Sequence, residues 1–446
     1  MKLEVESISK ELIKPSSPTP ENLHHYQLSF LDQISAQVYS PVIYFFASND
    51  TPQFNFTHIS NRLKKSLSQI LTHYYLLAGR VIDNKFIDCN DEGVPFLEAR
   101  IRCKLNDVLD NLVANELDKL VPFELDGAAE YPFGVQLNVF DCGSVAIGAC
   151  ISHKIADGLS TLVFINSWAT IAGGQADLVR THFLSAKLFP PRNNTLGYDP
   201  NVYITKNKNI ISKRFLFDAS AIESLKARYT SDCFRESLES KKPISRVEAL
   251  STFIWSRFLA SSHRDRSESY EPQDFYALLH NVNLRSRMEP SLPENSFGNY
   301  YREAVTLVPI SSDGTNASEV MCYGMVRKVM DEIKKIDKDF INKLQNDEDE
   351  YLNLLEENLS KFLKGGIVSF EFTSLCRFPL YDADFGWGKP VFIGAPALRY
   401  KNQVLFADAR SGDGIEAYIS LKMEDMAKFE NDKELLAFVS STGSTL

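Results

Sequence analysis

The sequence predicts an α/β protein with mixed sheets arranged in two halves. Three observations lead there. Short apolar or alternating segments that suit strands are interleaved with longer segments whose apolar residues recur at helical spacing. A polar, proline-containing stretch, PPRNNTLGYDPNVYITKNKN (190–209), carries little apolar period and reads as the joint between the halves. The length, 446 residues, is enough for two domains of ordinary size. The expected division is an N-terminal domain over 1–190, a crossover linker over 191–212 and a C-terminal domain over 213–446.

The elements follow in order. KLEVESIS alternates and suits a strand, and PSSPTP (15–20) is a stiff turn. From Ile59, the residues Leu63, Leu67, Ile70, Leu71 and Tyr74 mark a helix. It closes near LAGR (77–80), where Gly79 is expected in the left-handed conformation common at helix ends. Short strands are expected around VIDNKFIDC. VQLNVF and VAIGACIS then form a hairpin through DCGS (141–144). Val145–Ser152 is apolar on both faces, the pattern of a central, fully buried strand, and it runs directly into His153. After Gly158 the period is helical through Leu159, Leu162, Val163, Asn166 and Ala169. KRFLFD (213–218) is a strand and ASAIESLKARY a helix. SRVEALSTFIWSRFLA (245–260) is a helix opening on a Ser245/Glu248 capping box. YALLHNVNLRSRM (276–288) begins as a strand. Residues 317–364 alternate acidic and basic with helical period and suggest two surface helices. IVSFEFTSL (367–375) is a strand, followed by a loop holding DFGWGKP, three more strands and one helix, EDMAKFENDKELLAFVSS. Neither an internal repeat nor a low-complexity tract is present.

Composition narrows the partners. The 44% apolar and 24% charged residues are ordinary for a globular chain, and the net charge of −10 argues against nucleic acid or an anionic membrane. With no run approaching a membrane span, no membrane partner is expected. MKLEVESISKELIKP lacks the apolar core of a signal peptide, and the 7 Cys are odd in number and scattered. A cytoplasmic, monomeric protein with reduced thiols is expected.

The chemistry centres on SHKIADG (152–158). His153 and Asp157 share a face only if both lie in one helix. Here the histidine ends a strand and the aspartate opens a helix, so metal binding by the pair is disfavoured, and no third ligand is nearby. A neutral imidazole at a strand exit is placed to act as a base in a cleft; the competing reading is a satisfied core histidine. Asp157 is either a plain helix N-cap or one half of a buried ion pair with Arg285 or Arg287. The sequence has no G-x-S-x-G elbow, phosphate loop or G-x-G-x-x-G, and DFGWGKP lacks the rest of a kinase signature.

Two motifs at this separation, SHKIADG and DFGWGKP (384–390), resemble those of the plant BAHD acyltransferases. The likeness runs through LDQ (31–33), LAGR, DCNDEGVPFLEA (88–99), NLRSRM (283–288), SFGN (296–299), TSLCRFPLYDADFGWGKP (373–390) and SGDGIEA (411–417). The opening KPSSPTP is most similar to the alkaloid O-acetyltransferase branch. The resemblance implies two chloramphenicol-acetyltransferase-like domains with a tunnel between them. It implies acyl-CoA, with acetyl-CoA favoured, as co-substrate rather than bound cofactor, and a hydroxylated acceptor, an alkaloid of the monoterpenoid indole type. His153 is implied as the general base and Thr373 as the oxyanion donor. Asp157 would pair with Arg285, and Asp384, Gly386, Trp387 and Gly388 would support the structure away from the reacting centre. Ser245 and Arg246 are expected either as CoA contacts or as a plain helix cap. Two departures stand out. Many relatives carry Trp where this chain has Leu375, which bears on the acceptor. Arg302 follows SFGN as an unusual charge, either on the surface or facing the carboxylate of a malonyl-type donor. Other donors, a terpenoid or phenolic acceptor, and a binding protein that kept the fold without turnover are the alternatives. A carrier-protein condensation relative is disfavoured by Ser152, where a second His is usual.

Overall fold

The structure is a computed structural model. It describes residues 1–48, 54–125, 131–175, 180–192, 209–233, 243–262, 275–309, 317–346, 351–353, 367–396 and 401–440, with 355, 357 and 360 besides. Most of the expected linker, 193–208, lies outside the described residues.

Two six-stranded mixed sheets form the frame. The first runs β1 (Val5–Ile13), β6 (Val94–Ile101), β7 (Phe133–Phe140), β8 (Val145–Ser152), β3 (Tyr39–Phe46) and β13 (Phe392–Gly394). The second runs β11 (Tyr301–Pro309), β10 (Phe275–Asn283), β12 (Ile367–Ser374), β14 (Gln403–Asp408), β15 (Ile415–Lys422) and β9 (Ile210–Phe217). β6 is parallel to β7, and β12 is parallel to both β10 and β14, so both sheets are mixed as expected. A small third sheet joins β2 (His25–Gln27), β5 (Phe86–Asp88) and β4 (Arg80–Ile82).

The side-chain pattern decides what each sheet packs against. All eight residues of β8 are buried, because helices 56–73 and 158–172 cover one face and the turns around Leu105–Leu125 cover the other. Helix Phe56–His73 is capped by Asn55, whose side chain accepts the Thr57 N–H at 3.0 Å. In the second sheet, Leu278, Phe370, Phe372, Val404 and Phe406 turn toward helices 219–233, 246–262 and 317–335. The alternate residues of the same strands turn toward the first sheet and line a cavity between the two.

Several expectations need correction. The C-terminal half does not stay in one sheet: β13 pairs with β3 antiparallel, with Phe392 opposite Phe45, so a strand from 213–446 completes the sheet of 1–190. Gly79 is extended rather than left-handed; its constraint is space, since a Cβ there would sit 2.3 Å from the Asp88 carbonyl oxygen. The final helix is two, Met423–Phe429 and Lys433–Phe438, because Asp432 caps the second by accepting the Leu435 N–H at 2.8 Å. Helix Ala317–Lys335 is not a surface element, as Met325, Val326 and Val329 are in the second core.

Gly148 shows how tightly the central strand is covered. A Cβ there would lie 1.9 Å from the Leu120 carbonyl oxygen. Gly148→Ala should therefore destabilise by more than the ~1–3 kcal/mol usual for overpacking, because backbone rather than a side chain must move. Urea unfolding followed by tryptophan fluorescence would show the loss; an unchanged midpoint would contradict the packing described.

Candidate active site

His153 is the first residue beyond β8. Its N–H donates to the Val38 carbonyl at 2.9 Å, and the Ile155 N–H closes the turn on Ser152 at 3.1 Å. Two segments fix this turn from outside. Lys154 is buried, and its Nζ donates to the Gln33 carbonyl at 2.9 Å. Asn299 donates through Nδ2 both to the His153 carbonyl and to Asp32 Oδ1, each at 2.9 Å. The LDQ and SFGN motifs thus serve as clamps on the histidine's backbone.

Asp157 answers both of its readings at once. It caps helix Gly158–Ala172, Oδ1 accepting the Ser160 N–H at 2.9 Å. It also takes a two-pronged bond from Arg285, with Nη1 to Oδ2 at 2.8 Å and Nη2 to Oδ1 at 3.0 Å. The Tyr300 N–H donates to Oδ2 at 3.0 Å. Arg285 is 2% exposed and spends its remaining donors on Ser160 Oγ and the Ser296 carbonyl. Burial alone would raise the Asp157 carboxyl. The Arg285 charge, its hydrogen bonds and the two amides outweigh that and hold it below the usual aspartate range. None of the Asp157 bonds goes to the His153 ring, so the two residues of the motif do separate jobs.

Burial lowers the His153 pKa from its ordinary value, against the opposing pull of its own carbonyl, Asp157, Glu303 and Asn299. The ring is therefore neutral at pH 7 and able to accept a proton. It meets the Tyr301 ring edge-on, with centroids 5.5 Å apart, and lines the cavity, whose volume is about 840 Å³. Thr373 lines the same cavity from β12; its Oγ1 accepts from Asn281 Nδ2 at 2.6 Å, and its hydroxyl also bonds the Glu371 carboxylate. Leu375 also lines it, packed so closely on the start of helix 158–172 that a Cβ at Gly158 would come within 2.8 Å of Leu375 Cδ2.

Asp384, Gly386, Trp387 and Gly388 are not among the cavity-lining residues. Asp384 Oδ1 accepts the N–H groups of Gly386 and Gly388, at 2.8 and 2.9 Å. Both glycines have positive φ, +97° and +104°, conformations that L side chains rarely adopt. The loop turns Phe385 and Trp387 onto Phe46 of the first sheet, with centroids 6.0 and 5.9 Å away. Ser245 and Arg246 also lie outside the lining. Ser245 forms a reciprocal capping box with Glu248, and Arg246 Nη2 bonds Asp408, a lining residue, at 2.9 Å. Arg302 is corrected: it is 2% exposed, faces the packing around Leu31 rather than the cavity, and donates to the Leu31 carbonyl at 3.4 Å. It is neither a surface residue nor a lumen residue. Among the described residues no group of three His, Cys, Asp or Glu side chains is arranged to hold a metal, and no helix is long and apolar enough to cross a membrane.

A profile of the Transferase family matches residues 3–436. The chain belongs to this family, the BAHD acyltransferases. It is 35% identical to stemmadenine O-acetyltransferase of Catharanthus roseus, over 96% of this chain and 97% of that one. It is equally similar, at 35%, to limonoid 21-O-acetyltransferase of Melia azedarach, over 98% of this chain and 99% of the relative. The crystal structure of vinorine synthase superposes with a TM-score of 0.80 at 32% identity, covering 99% of this chain and all of that one, 100%. The protein is thus a BAHD acyltransferase related to alkaloid and limonoid acetyltransferases.

Sequence reasoning missed the polar residues of the BAHD cavity wall: Asn281, Glu303, Glu371 and Gln403. A signal exists for two of them. HNVN and FEFT place polar residues at alternate positions of apolar strands, which marks a face turned away from the core.

Removing one partner of a buried ion pair leaves an uncompensated charge and costs about 3–5 kcal/mol. Arg285→Ala should show a loss of that order by denaturant unfolding. Because the Asp157 pKa is depressed on folding, its contribution is present above the unfolded value and fades as pH falls through the folded one. The variant's deficit should therefore shrink in acid; a deficit constant down to the lowest pH at which the protein folds would exclude the charge pairing as its source.

Proposed function

We propose that the chain transfers an acetyl group from acetyl-CoA to a hydroxyl of an alkaloid, with His153 as general base. The observation that carries this is a buried, neutral imidazole at the exit of a central strand, lining a cavity whose opposite wall bears the Thr373 hydroxyl. The names of the relatives, acetyltransferases of alkaloid and limonoid acceptors, favour the donor and the reaction.

The steps follow from elementary requirements. His153 removes the acceptor's hydroxyl proton as its oxygen attacks the thioester carbonyl carbon. The C–O bond forms, the carbonyl electrons collect on oxygen, and Thr373 donates to that oxyanion. As the tetrahedral species collapses the C–S bond breaks, and the imidazolium returns the proton to the CoA thiolate. A thioester is electrophilic enough that no acyl-enzyme is required. Confining both substrates in one cavity supplies the remaining large contribution, through proximity. For CoA itself, Arg246 is the proposed phosphate contact, exchanging Asp408 for the ligand, with Ser245 holding the helix end. A malonyl donor loses its proposed partner, since Arg302 does not face the cavity. A terpenoid acceptor is the second reading, favoured by the apolar wall of Ala277, Leu279, Val305 and Leu405 and by the limonoid relative.

Thiol release from acetyl-CoA in the presence of a hydroxylated alkaloid pool tests the proposal. His153→Ala should lower acceptor-dependent release by about 10²–10⁴-fold, and Thr373→Val by roughly 10²–10³-fold. Equal release by wild type and His153→Ala would remove His153 as the base. The lowered His153 pKa adds a sign: kcat/KM should rise with pH through an apparent pKa below the ordinary 6.5 of histidine and level off by neutrality. A limb centred well above 6.5 would point to another base.

A further inference from the structure

The cavity wall formed by the second sheet is mostly aliphatic, but one patch is polar and acidic. Asn281 on β10 stands directly opposite Glu303 on β11. Glu371 on β12 is registered with Leu279 of β10 on one side and Gln403 of β14 on the other. Asn281 Nδ2 donates to Glu371 Oε1 at 2.9 Å and to Thr373 at 2.6 Å, and Gln403 Nε2 donates to Glu371 Oε2 at 3.0 Å. The patch is continuous with the reacting centre. Glu303 follows Tyr301, whose ring touches His153, by one pleat, and its charge is felt at the imidazole.

Among the described residues, neither of these two carboxylates is paired with a Lys or Arg. The described lysines and arginines that line the cavity are engaged elsewhere or lie apart. Arg285 is bound to Asp157, Lys335 to Glu332, and Lys401 lies near Asp425 and Glu424. The amides of Asn281 and Gln403 orient Glu371 without neutralising it. Burial pushes the Glu371 carboxyl up, and the Glu303 charge adds to that shift. Like charges projecting from one sheet face into a partly desolvated space are costly until a cation joins them.

We infer that Glu303 and Glu371 seat a cationic nitrogen of the acceptor while its hydroxyl is presented to His153. The inference rests on the reading of this cavity as the acyl-transfer site and gives that reading a substrate class: a basic amino alcohol, not a neutral terpenoid alcohol.

Two measurements test it separately from acyl transfer. Berberine, a permanent cation whose fluorescence rises on leaving water, serves as a binding probe. Its Kd should rise at least tenfold in Glu303→Gln and in Glu371→Gln. The carboxylates are on different strands, so either variant suffices should the other fail to fold; circular dichroism checks folding. In the transfer assay with acetyl-CoA, the kcat/KM ratio of the amino alcohol tropine over the neutral alcohol borneol should fall at least tenfold in the same variants. Berberine binding equal in wild type and both folded variants would overturn the inference, as would a preference for borneol that neither substitution moves. Turnover of neutral alcohols without any carboxylate effect would leave the acyl-transfer reading standing and this one fallen. Carboxylate-dependent berberine binding without turnover of any acceptor would do the reverse.

Discussion

The Asp157–Arg285 pair is the constraint on which the rest of the site depends. It joins residues 128 positions apart, one at the head of a helix beneath the first sheet and the other in the turn after β10. An isolated charge at that depth would cost several kcal/mol, so neither side chain is tolerable without the other. Each also satisfies backbone groups, the amides of Ser160 and Tyr300 for Asp157 and the carbonyl of Ser296 for Arg285. The pair therefore fixes the SFGN segment and, through Asn299, the backbone of His153.

That division of labour explains the chemistry available to the histidine. Were Asp157 bonded to the imidazole, it would stabilise the protonated ring and raise its pKa. With the carboxylate spent on Arg285, burial dominates and the ring is held in the form that accepts a proton. The facing wall is arranged in the opposite sense. Thr373 is bonded from behind by Asn281 and shares its hydroxyl with the Glu371 carboxylate. The imidazole and the hydroxyl thus come from different sheets and line one cavity between them.

Much of this was legible in the residues. The unbroken apolar run of Val145–Ser152 gives the buried central strand, and Asp157 before a helical period gives the cap. The cost of burying a carboxylate leaves Asp157 either a plain cap or the partner of Arg285 or Arg287, and only the family resemblance singles out Arg285. Other elements left weaker traces. Tyr39–Phe46 contains Pro41, which argues against a strand inside a sheet, yet it is paired on both edges. Val94–Ile101 and Tyr301–Pro309 are also strands, and their role depends on partners far away in sequence. Without β11 there is no way to see that Glu303 faces a cavity and Arg302 does not, since a shift of one residue exchanges the two faces. Arg302 was conspicuous as a charge, whereas its neighbour is the one placed in the cavity.

The strand Phe392–Gly394 has a bearing on biogenesis. Until it is synthesised, the long apolar edge of β3, with Val42 to Phe46 among its residues, has no neighbour on one side. The DFGWG loop arrives with it and covers Phe46. A ribosome must therefore deliver the chain as far as Gly394 before the first sheet is sealed, and in that interval an open hydrophobic edge is exposed. The late strand acts as a zip fastener for the earliest part of the protein.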